Sequence, residues 1–170
     1  LQLPGLERLE IINNGTLRFR AEQIPDVRHL GLKLDLGGSV LEEIEGVEKL
    51  EALEVGPVRD RGALERLVKR PLRFFKAVHG NLDTIEPLRD CPSLTNLWLL
   101  GLNRLTSLAP LADLPDLREL SVTYCTRLKL DRSILRLPAL RKLLLFANKD
   151  IDLTAIRPEI EGLGLEHFLS

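Results

Sequence analysis

The stretch that decides the fold is residues 94–116, LTNLWLLGLNRLTSLAPLADLPD. Around Leu97 and Leu99 the apolar residues alternate with a period of two, which predicts a short β-strand with both leucines turned into a core. From residue 105 to residue 114 the apolar residues recur every three positions. This spacing favours a 3₁₀ turn or a single helical turn that returns the chain, and Pro110 excludes a long helix there.

The opening pattern of this stretch, apolar-x-x-apolar-x-apolar, occurs eight times at intervals of 20 to 23 residues. All 24 positions are apolar, although only 44% of the chain is. The triplets are Leu6/Leu9/Ile11, Val27/Leu30/Leu32, Leu50/Leu53/Val55, Leu72/Phe75/Ala77, Leu94/Leu97/Leu99, Leu117/Leu120/Val122, Leu140/Leu143/Leu145 and Ile160/Leu163/Leu165. A strand that repeats with a period near 22 predicts a solenoid whose units stack on their neighbours.

The predicted fold class is therefore α/β, as a single solenoid domain over residues 1–170 with about eight repeats. We expect a curved parallel β-sheet on the concave face and 3₁₀ or short helical turns on the convex face. Residues 41–44 and 63–69 contain no proline, so fuller α-helical turns are predicted there. In residues 32–38 the alternation extends further, which predicts a longer strand or a small hairpin excursion.

The chain resembles a leucine-rich-repeat protein over essentially all of its length. Residues 105–120, LTSLAPLADLPDLREL, are similar to the 22-residue repeat class of bacterial internalins and cytosolic bacterial repeat proteins. At the position that this family reserves for Asn or Cys, the chain fits with Asn14, Cys125 and Asn148 and departs with Asp35, Val58, Gly80 and Leu102. The side-chain ladder formed from this position is therefore expected to be incomplete in the middle repeats.

Composition and charge exclude several classes of function. The formal net charge is −1, from 24 basic and 25 acidic residues. The chain therefore has no excess of positive charge to attract the phosphate backbone of a nucleic acid. No apolar run approaches 18 residues, so a membrane span is not expected. The chain lacks methionine. Residues 3–6 match residues 114–117, which lie in the middle of a repeat, so the chain begins partway through a repeat. We therefore expect the chain to be a piece of a larger protein.

The two cysteines occupy positions that the repeat assigns to the core. Cys91 lies three residues before a triplet, where other repeats carry Leu, Ile or Val, and Cys125 lies at the Asn/Cys position. The two positions belong to different layers of the repeat, so we expect buried reduced thiols and no disulfide. This favours a reducing, cytoplasmic setting.

The alternate residues of each predicted strand point to the concave face, and in repeats four to seven this face is unusually aromatic. Four of the seven aromatic residues of the chain fall there, together with two leucines, a lysine and a histidine. Exposed, clustered aromatic residues are typical of binding hot spots. The predicted partner-binding residues are Phe74, Lys76, His79, Trp98, Leu100, Tyr124, Leu144 and Phe146. Two alternatives remain: these side chains pack on another domain of the parent chain, or they merely cover the sheet.

No catalytic or cofactor-binding constellation is recognised. The histidines His29, His79 and His167 belong to repeats two, four and eight, so neighbouring ones lie about 10 and 20 Å apart by strand count and share no metal ion. The acidic residues of Asp150-Ile151-Asp152 are interpreted as solvated charge rather than a calcium site. We predict no enzymatic activity, no cofactor and no metal.

Residues 117–128, LRELSVTYCTRL, are similar to the C-terminal repeats of bacterial NACHT-type nucleotide-binding signalling proteins. This resemblance implies a non-catalytic recognition module: the leucine-rich-repeat sensor domain of a larger intracellular bacterial signalling or defence protein. It would bind a protein partner on its concave face, beside the other domains of the parent chain. The alternatives are a substrate-docking domain of a bacterial effector enzyme and a free-standing inhibitor or immunity protein.

Overall fold

The computed structural model describes residues 2–12, 19–33, 36–129, 132–149, 151–152, 154 and 156–169, with the backbone alone at Phe168. Its eight strands form one parallel sheet in which spatial order follows sequence order. The strands are β1 (Arg8–Ile12), β2 (His29–Lys33), β3 (Ala52–Gly56), β4 (Phe74–Val78), β5 (Asn96–Leu100), β6 (Glu119–Thr123), β7 (Lys142–Phe146) and β8 (Glu166–Leu169). The predicted stacking of repeats is confirmed.

The register of β1 to β7 follows the apolar triplets. Leu9 stands opposite Leu30, Leu30 opposite Leu53, and the same row continues through each strand to β7. The second and fourth residues of β2 to β7 are buried. Because side chains alternate along a strand, the first, third and fifth residues point to the other side of the sheet. We call that side the open sheet face; it is the one that the sequence analysis assigns to the concave side.

The segments between the strands form short helical turns. The α-helices are α1 (Gly38–Gly46), α2 (Arg61–Leu67) and α3 (Arg157–Gly162), and 3₁₀ turns occur at Ala21–Gln23, Glu86–Asp90, Ala109–Leu111 and Arg132–Arg136. The helical turns predicted around residues 41–44 and 63–69 are confirmed, and so is the 3₁₀ turn in residues 105–114. Asp60 caps α2 by accepting a hydrogen bond from the backbone N–H of Ala63 at 2.9 Å.

A single apolar core extends from Phe19 to Ile160 between the sheet and these turns. Phe75 and Leu97 are fully buried within it, and each contributes roughly 1.5–3 kcal/mol relative to an exposed side chain.

The last strand begins later in the chain than the apolar triplets predict. In β8 the residues opposite Leu143 and Leu145 are His167 and Leu169, four positions beyond the predicted Leu163 and Leu165. Ile160 is buried, but it lies in α3, and Leu163 is 49% exposed. Residues 157–162 form a helix that begins with Pro158 in its first turn, so they belong to the returning segment and the strand starts later.

Some predictions fall outside the described residues. The excursion predicted over residues 32–38 includes Leu34 and Asp35, which lie outside them; β2 ends at Lys33 and α1 begins at Gly38. Asn14 and Asp150 also lie outside the described residues.

Candidate partner-binding surface

The eight predicted contact residues lie on or beside the open sheet face of β4 to β7. Phe74 and Lys76 belong to β4, Trp98 and Leu100 to β5, and Leu144 and Phe146 to β7, while His79 and Tyr124 directly follow β4 and β6. We call these eight residues the aromatic patch. Adjacent strands lie about 4.8 Å apart, so the patch is about 15 Å wide.

The rings of the patch meet in two pairs. Phe74 and Trp98 lie edge to face, with centroids 5.5 Å apart and an interplanar angle of 69°. Tyr124 and Phe146 form a second edge-to-face pair, at 5.6 Å and 87°. This arrangement is favoured by the ring quadrupoles and adds about 0.5–1.5 kcal/mol per pair beyond the burial of area. The rings are therefore held by one another as well as by the sheet.

Trp98 is exposed and yet fixed in orientation. Its side chain is 36% exposed, and its indole Nε1–H donates a hydrogen bond to Glu119 Oε1 at 3.0 Å. The Nζ of Lys76 lies 5.3 Å from the ring centroid, within range of a cation–π interaction. A ring held in this way loses little conformational freedom when a partner covers it.

Tyr124 is presented by a backbone turn that the sequence analysis did not identify. Tyr124 has a φ of +56° and is 51% exposed, and the equivalent residues of other repeats, His79, Gly101 and Ala147, also have positive φ. The backbone N–H groups of His79, Gly101 and Tyr124 donate to the carbonyls that end the following strand, at 2.7, 2.8 and 3.0 Å. The glycine of repeat five was the available sequence signal, because glycine adopts this conformation without strain.

Asn148 supports the turn that contains Tyr124. Its side chain is buried; Oδ1 accepts from the backbone N–H of Cys125 at 2.8 Å, and Nδ2 donates to the carbonyl of Val122 at 2.8 Å. This is the ladder interaction expected of the Asn/Cys position. In the middle repeats Val58 and Gly80 pair through an isolated parallel β-bridge, so backbone replaces the side chain there.

A second group of side chains, which we call the charged cluster, occupies the open sheet face of β1 to β3. It comprises Glu10, His29 and Glu54. The Nε2 of His29 lies 3.0 Å from Glu54 Oε1, and the Nζ of Lys76 donates to Glu54 Oε2 at 3.0 Å. Arg8 forms an ion pair with Glu10.

The spacing of the three histidines does not reveal the charged cluster, because its other two members are glutamates. The repeat register places Glu10, Gly31 and Glu54 in one row across β1, β2 and β3, beside His29. Burial opposes the ionisation of Glu54, but the hydrogen bonds from Lys76 and His29 outweigh it and lower the pKa of that carboxyl. The imidazole of His29 also stacks on Phe74, with centroids 6.0 Å apart, and so connects the cluster to the aromatic patch.

Both cysteines are buried and unpaired, as predicted. The Sγ–H of Cys91 donates to the carbonyl of Val68 at 3.1 Å, and burial raises the pKa of this thiol to about 11. Burial also raises the pKa of Cys125. A buried thiol with a raised pKa is a poor nucleophile, so neither residue is a candidate for covalent chemistry.

The sequence matches no family model and no curated protein. Among solved structures, an internalin (InlF) from Listeria monocytogenes is similar over 95% of this chain and 46% of its own, at 24% identity and a TM-score of 0.69. A Listeria monocytogenes internalin C2 covers 98% of this chain and 81% of its own at 17% identity and a TM-score of 0.42. The plant peptide hormone receptor RGFR1, solved in complex with RGF2, covers 87% of this chain and 34% of its own at 16% identity and a TM-score of 0.38.

The sheet and the first of these likenesses together define a leucine-rich-repeat solenoid. The chain spans about half the length of that internalin. Among the residues that the structure describes, no helix has the length and apolar character needed to cross a membrane.

Proposed function

We propose that the open sheet face of this solenoid is a non-catalytic protein-recognition surface and that the aromatic patch is its main contact site. The observation that carries this proposal is the position of Phe74, Trp98, Tyr124 and Phe146. They account for four of the seven aromatic residues and lie together on the face that the core does not use.

The character of the patch favours a protein partner over other ligands. It spreads over four strands rather than enclosing a small molecule, and Trp and Tyr are the residues that most often dominate protein interfaces. Lys76 lies over the Trp98 ring and Glu119 accepts the hydrogen bond from its indole, so polar groups border the rings, as at the rim of an interface. The near-neutral net charge of −1 offers no general attraction for a phosphate backbone.

Within this proposal the module is the sensor region of a larger intracellular bacterial signalling protein. The support for this narrower role is the sequence likeness of residues 117–128 to NACHT-type proteins. The substrate-docking alternative predicts an enzyme domain in the same reading frame, and the inhibitor alternative predicts no further domain. Sequencing the complete reading frame around this segment separates them by the kind of domain that it encodes.

The proposal is tested by measuring capture of protein from the source cell on the immobilised domain. Trp98→Ala and Tyr124→Ala each remove a ring that points away from the core, so both variants should fold normally. Each is expected to weaken binding of the captured protein by about tenfold or more, as hot-spot truncations do.

The matched control is Leu163→Ala, which truncates a large apolar side chain, 49% exposed, away from the patch. It should bind like the wild type. Equal capture by the wild type, Trp98→Ala and Tyr124→Ala would place the contact site elsewhere on the molecule. Capture of the parent protein's own neighbouring domain, lost in the same variants, would instead make the patch an internal packing surface.

A further inference from the structure

We propose that the charged cluster, Glu10, His29 and Glu54, is a binding site for a divalent transition-metal ion of the Zn²⁺ type. Each residue offers one ligand atom, and these three atoms all lie within 4.8 Å of one another. The imidazole and the Glu54 carboxylate already approach to 3.0 Å. This inference concerns the opposite half of the open sheet face from the paired rings and does not depend on the proposed function.

The donor set determines the class of ion. Zn²⁺ accepts imidazole nitrogen and carboxylate oxygen at about 2.0–2.2 Å, whereas Ca²⁺ and Mg²⁺ prefer sites made of oxygen alone. Two carboxylates and one imidazole supply three ligands. A metal held in this way would keep at least one coordination position open toward solvent.

The repeat register builds the space for the ion. Glu10 and Glu54 occupy the same row on β1 and β3, two strand spacings apart, and the residue between them on β2 is Gly31. A Cβ atom on Gly31 would lie only 3.0 Å from Cγ of Glu10, so any side chain there would crowd the space between the two carboxylates. A cavity of about 300 Å³ borders the two carboxylates, lined by Glu10, Gly31 and Glu54 together with Arg8, Ile12 and Lys76. His29 does not line this cavity, so the cavity approaches the site from the side of the carboxylates.

Two basic side chains already neutralise the carboxylates, and each leaves room for a metal. Lys76 binds Oε2 of Glu54, while Oε1 is the oxygen that faces His29. A metal ion would replace the hydrogen bond between His29 Nε2 and Glu54 Oε1, because both atoms are potential ligands. The pair between Arg8 and Glu10 is exposed, with side-chain accessibilities of 61% and 49%, so it is weak and readily displaced.

The positive charge of Lys76 beside the cluster limits the affinity. We expect binding weaker than that of a closed four-ligand zinc site, with a dissociation constant on the order of micromolar.

The experiment is a calorimetric titration of the intact, purified protein with Zn²⁺ alone, in a buffer free of chelators. The wild type should bind one equivalent. His29→Gln should weaken binding at least tenfold because glutamine offers no ligand of comparable strength, while His167→Gln, the matched control outside both surfaces, should bind like the wild type. In a parallel NMR titration, the imidazole signals of His29 should shift and those of His79 and His167 should not.

Gly31→Ala provides a test that leaves all three ligands in place. Its added methyl group crowds Glu10, so it should also weaken Zn²⁺ binding. Absence of saturable binding by the wild type would overturn the proposal. So would wild-type affinity in His29→Gln, or a titration in which His79 or His167 responds and His29 does not.

Discussion

Cys91 shows how one position of the repeat determines both the burial and the protonation of the residue that occupies it. It lies where other repeats carry larger aliphatic side chains, and it is 1% exposed. Burial raises the pKa of its thiol to about 11, because a thiolate at this site would lose the solvation that it has in the unfolded chain. The folded state therefore holds this proton over a range of pH in which the unfolded state releases it.

We predict that this proton makes the protein less stable in alkali. Between about pH 9 and pH 11 the unfolded thiol is ionised and the folded one is not, so stability falls as pH rises, by about 2–3 kcal/mol in total. Below pH 8 the thiol is protonated in both the folded and the unfolded state, so it causes no loss of stability there. Denaturant unfolding under reducing conditions at pH 8 and pH 11 measures the loss.

Cys91→Ala is the control for this prediction, because it keeps a small side chain and removes the ionisable group. Its stability should fall less between pH 8 and pH 11 than that of the wild type, by roughly the same 2–3 kcal/mol. Parallel losses in the two proteins would show that other groups cause the alkaline sensitivity.

At this scale the sequence predicts the side of the sheet on which a residue lies, but not its partners. The period of two placed Leu97 inward and Trp98 outward, and both positions are confirmed. The bond from Trp98 to Glu119 and the contact of His29 with Glu54 were not predicted. Both join long side chains on different strands, so they depend on rotamers and on the register between repeats.

Among the secondary-structure elements, the closeness of neighbouring strands is set by glycines at particular sites. Gly56 ends β3, and a Cβ atom there would lie 2.1 Å from the carbonyl oxygen of Val78, which ends β4. That contact is with backbone, so it can be relieved only by moving one strand away from the other. Gly62, in α2, has open surroundings: the closest atom to its Cβ would be a carboxylate oxygen of Asp60 at 3.4 Å.

We predict opposite effects of alanine at these two glycines. Gly56→Ala should destabilise the protein by about 1–3 kcal/mol, as overpacking does. Gly62→Ala should stabilise it by about 0.5–1 kcal/mol, because alanine favours a helix. Denaturant unfolding of both variants measures the changes. A Gly56→Ala variant as stable as the wild type would contradict the close approach of β3 and β4.

The last repeat shows where element prediction from the triplets stops working. The spacing from Leu140 to Ile160 is 20 residues, the shortest in the series, although the three apolar positions fit the repeat pattern. The structure uses residues 157–162 for α3 and starts β8 at Glu166. Apolar residues three apart fit one helical turn as well as the start of a strand motif, so the pattern alone does not decide between them.

At the scale of the whole molecule, the stacking of repeats converts a one-dimensional pattern into two surfaces. One side of the sheet buries its side chains in a core that runs the length of the solenoid. The other side has a charged half on β1 to β3 and an aromatic half on β4 to β7. For the partner that we propose, such a division would set the direction of docking, with apolar contact at one end of the face and ionic contact at the other.

The central claim is that a protein partner docks on the aromatic patch. The most direct test places the photo-cross-linking residue p-benzoylphenylalanine at one of two positions in the full-length protein, in its native cell. Leu100 lies within the patch, and Asp113 lies on a returning segment with its side chain 75% exposed. The proposal predicts a cross-linked partner from position 100 and none from position 113. A partner cross-linked from position 113 and not from position 100 would contradict it.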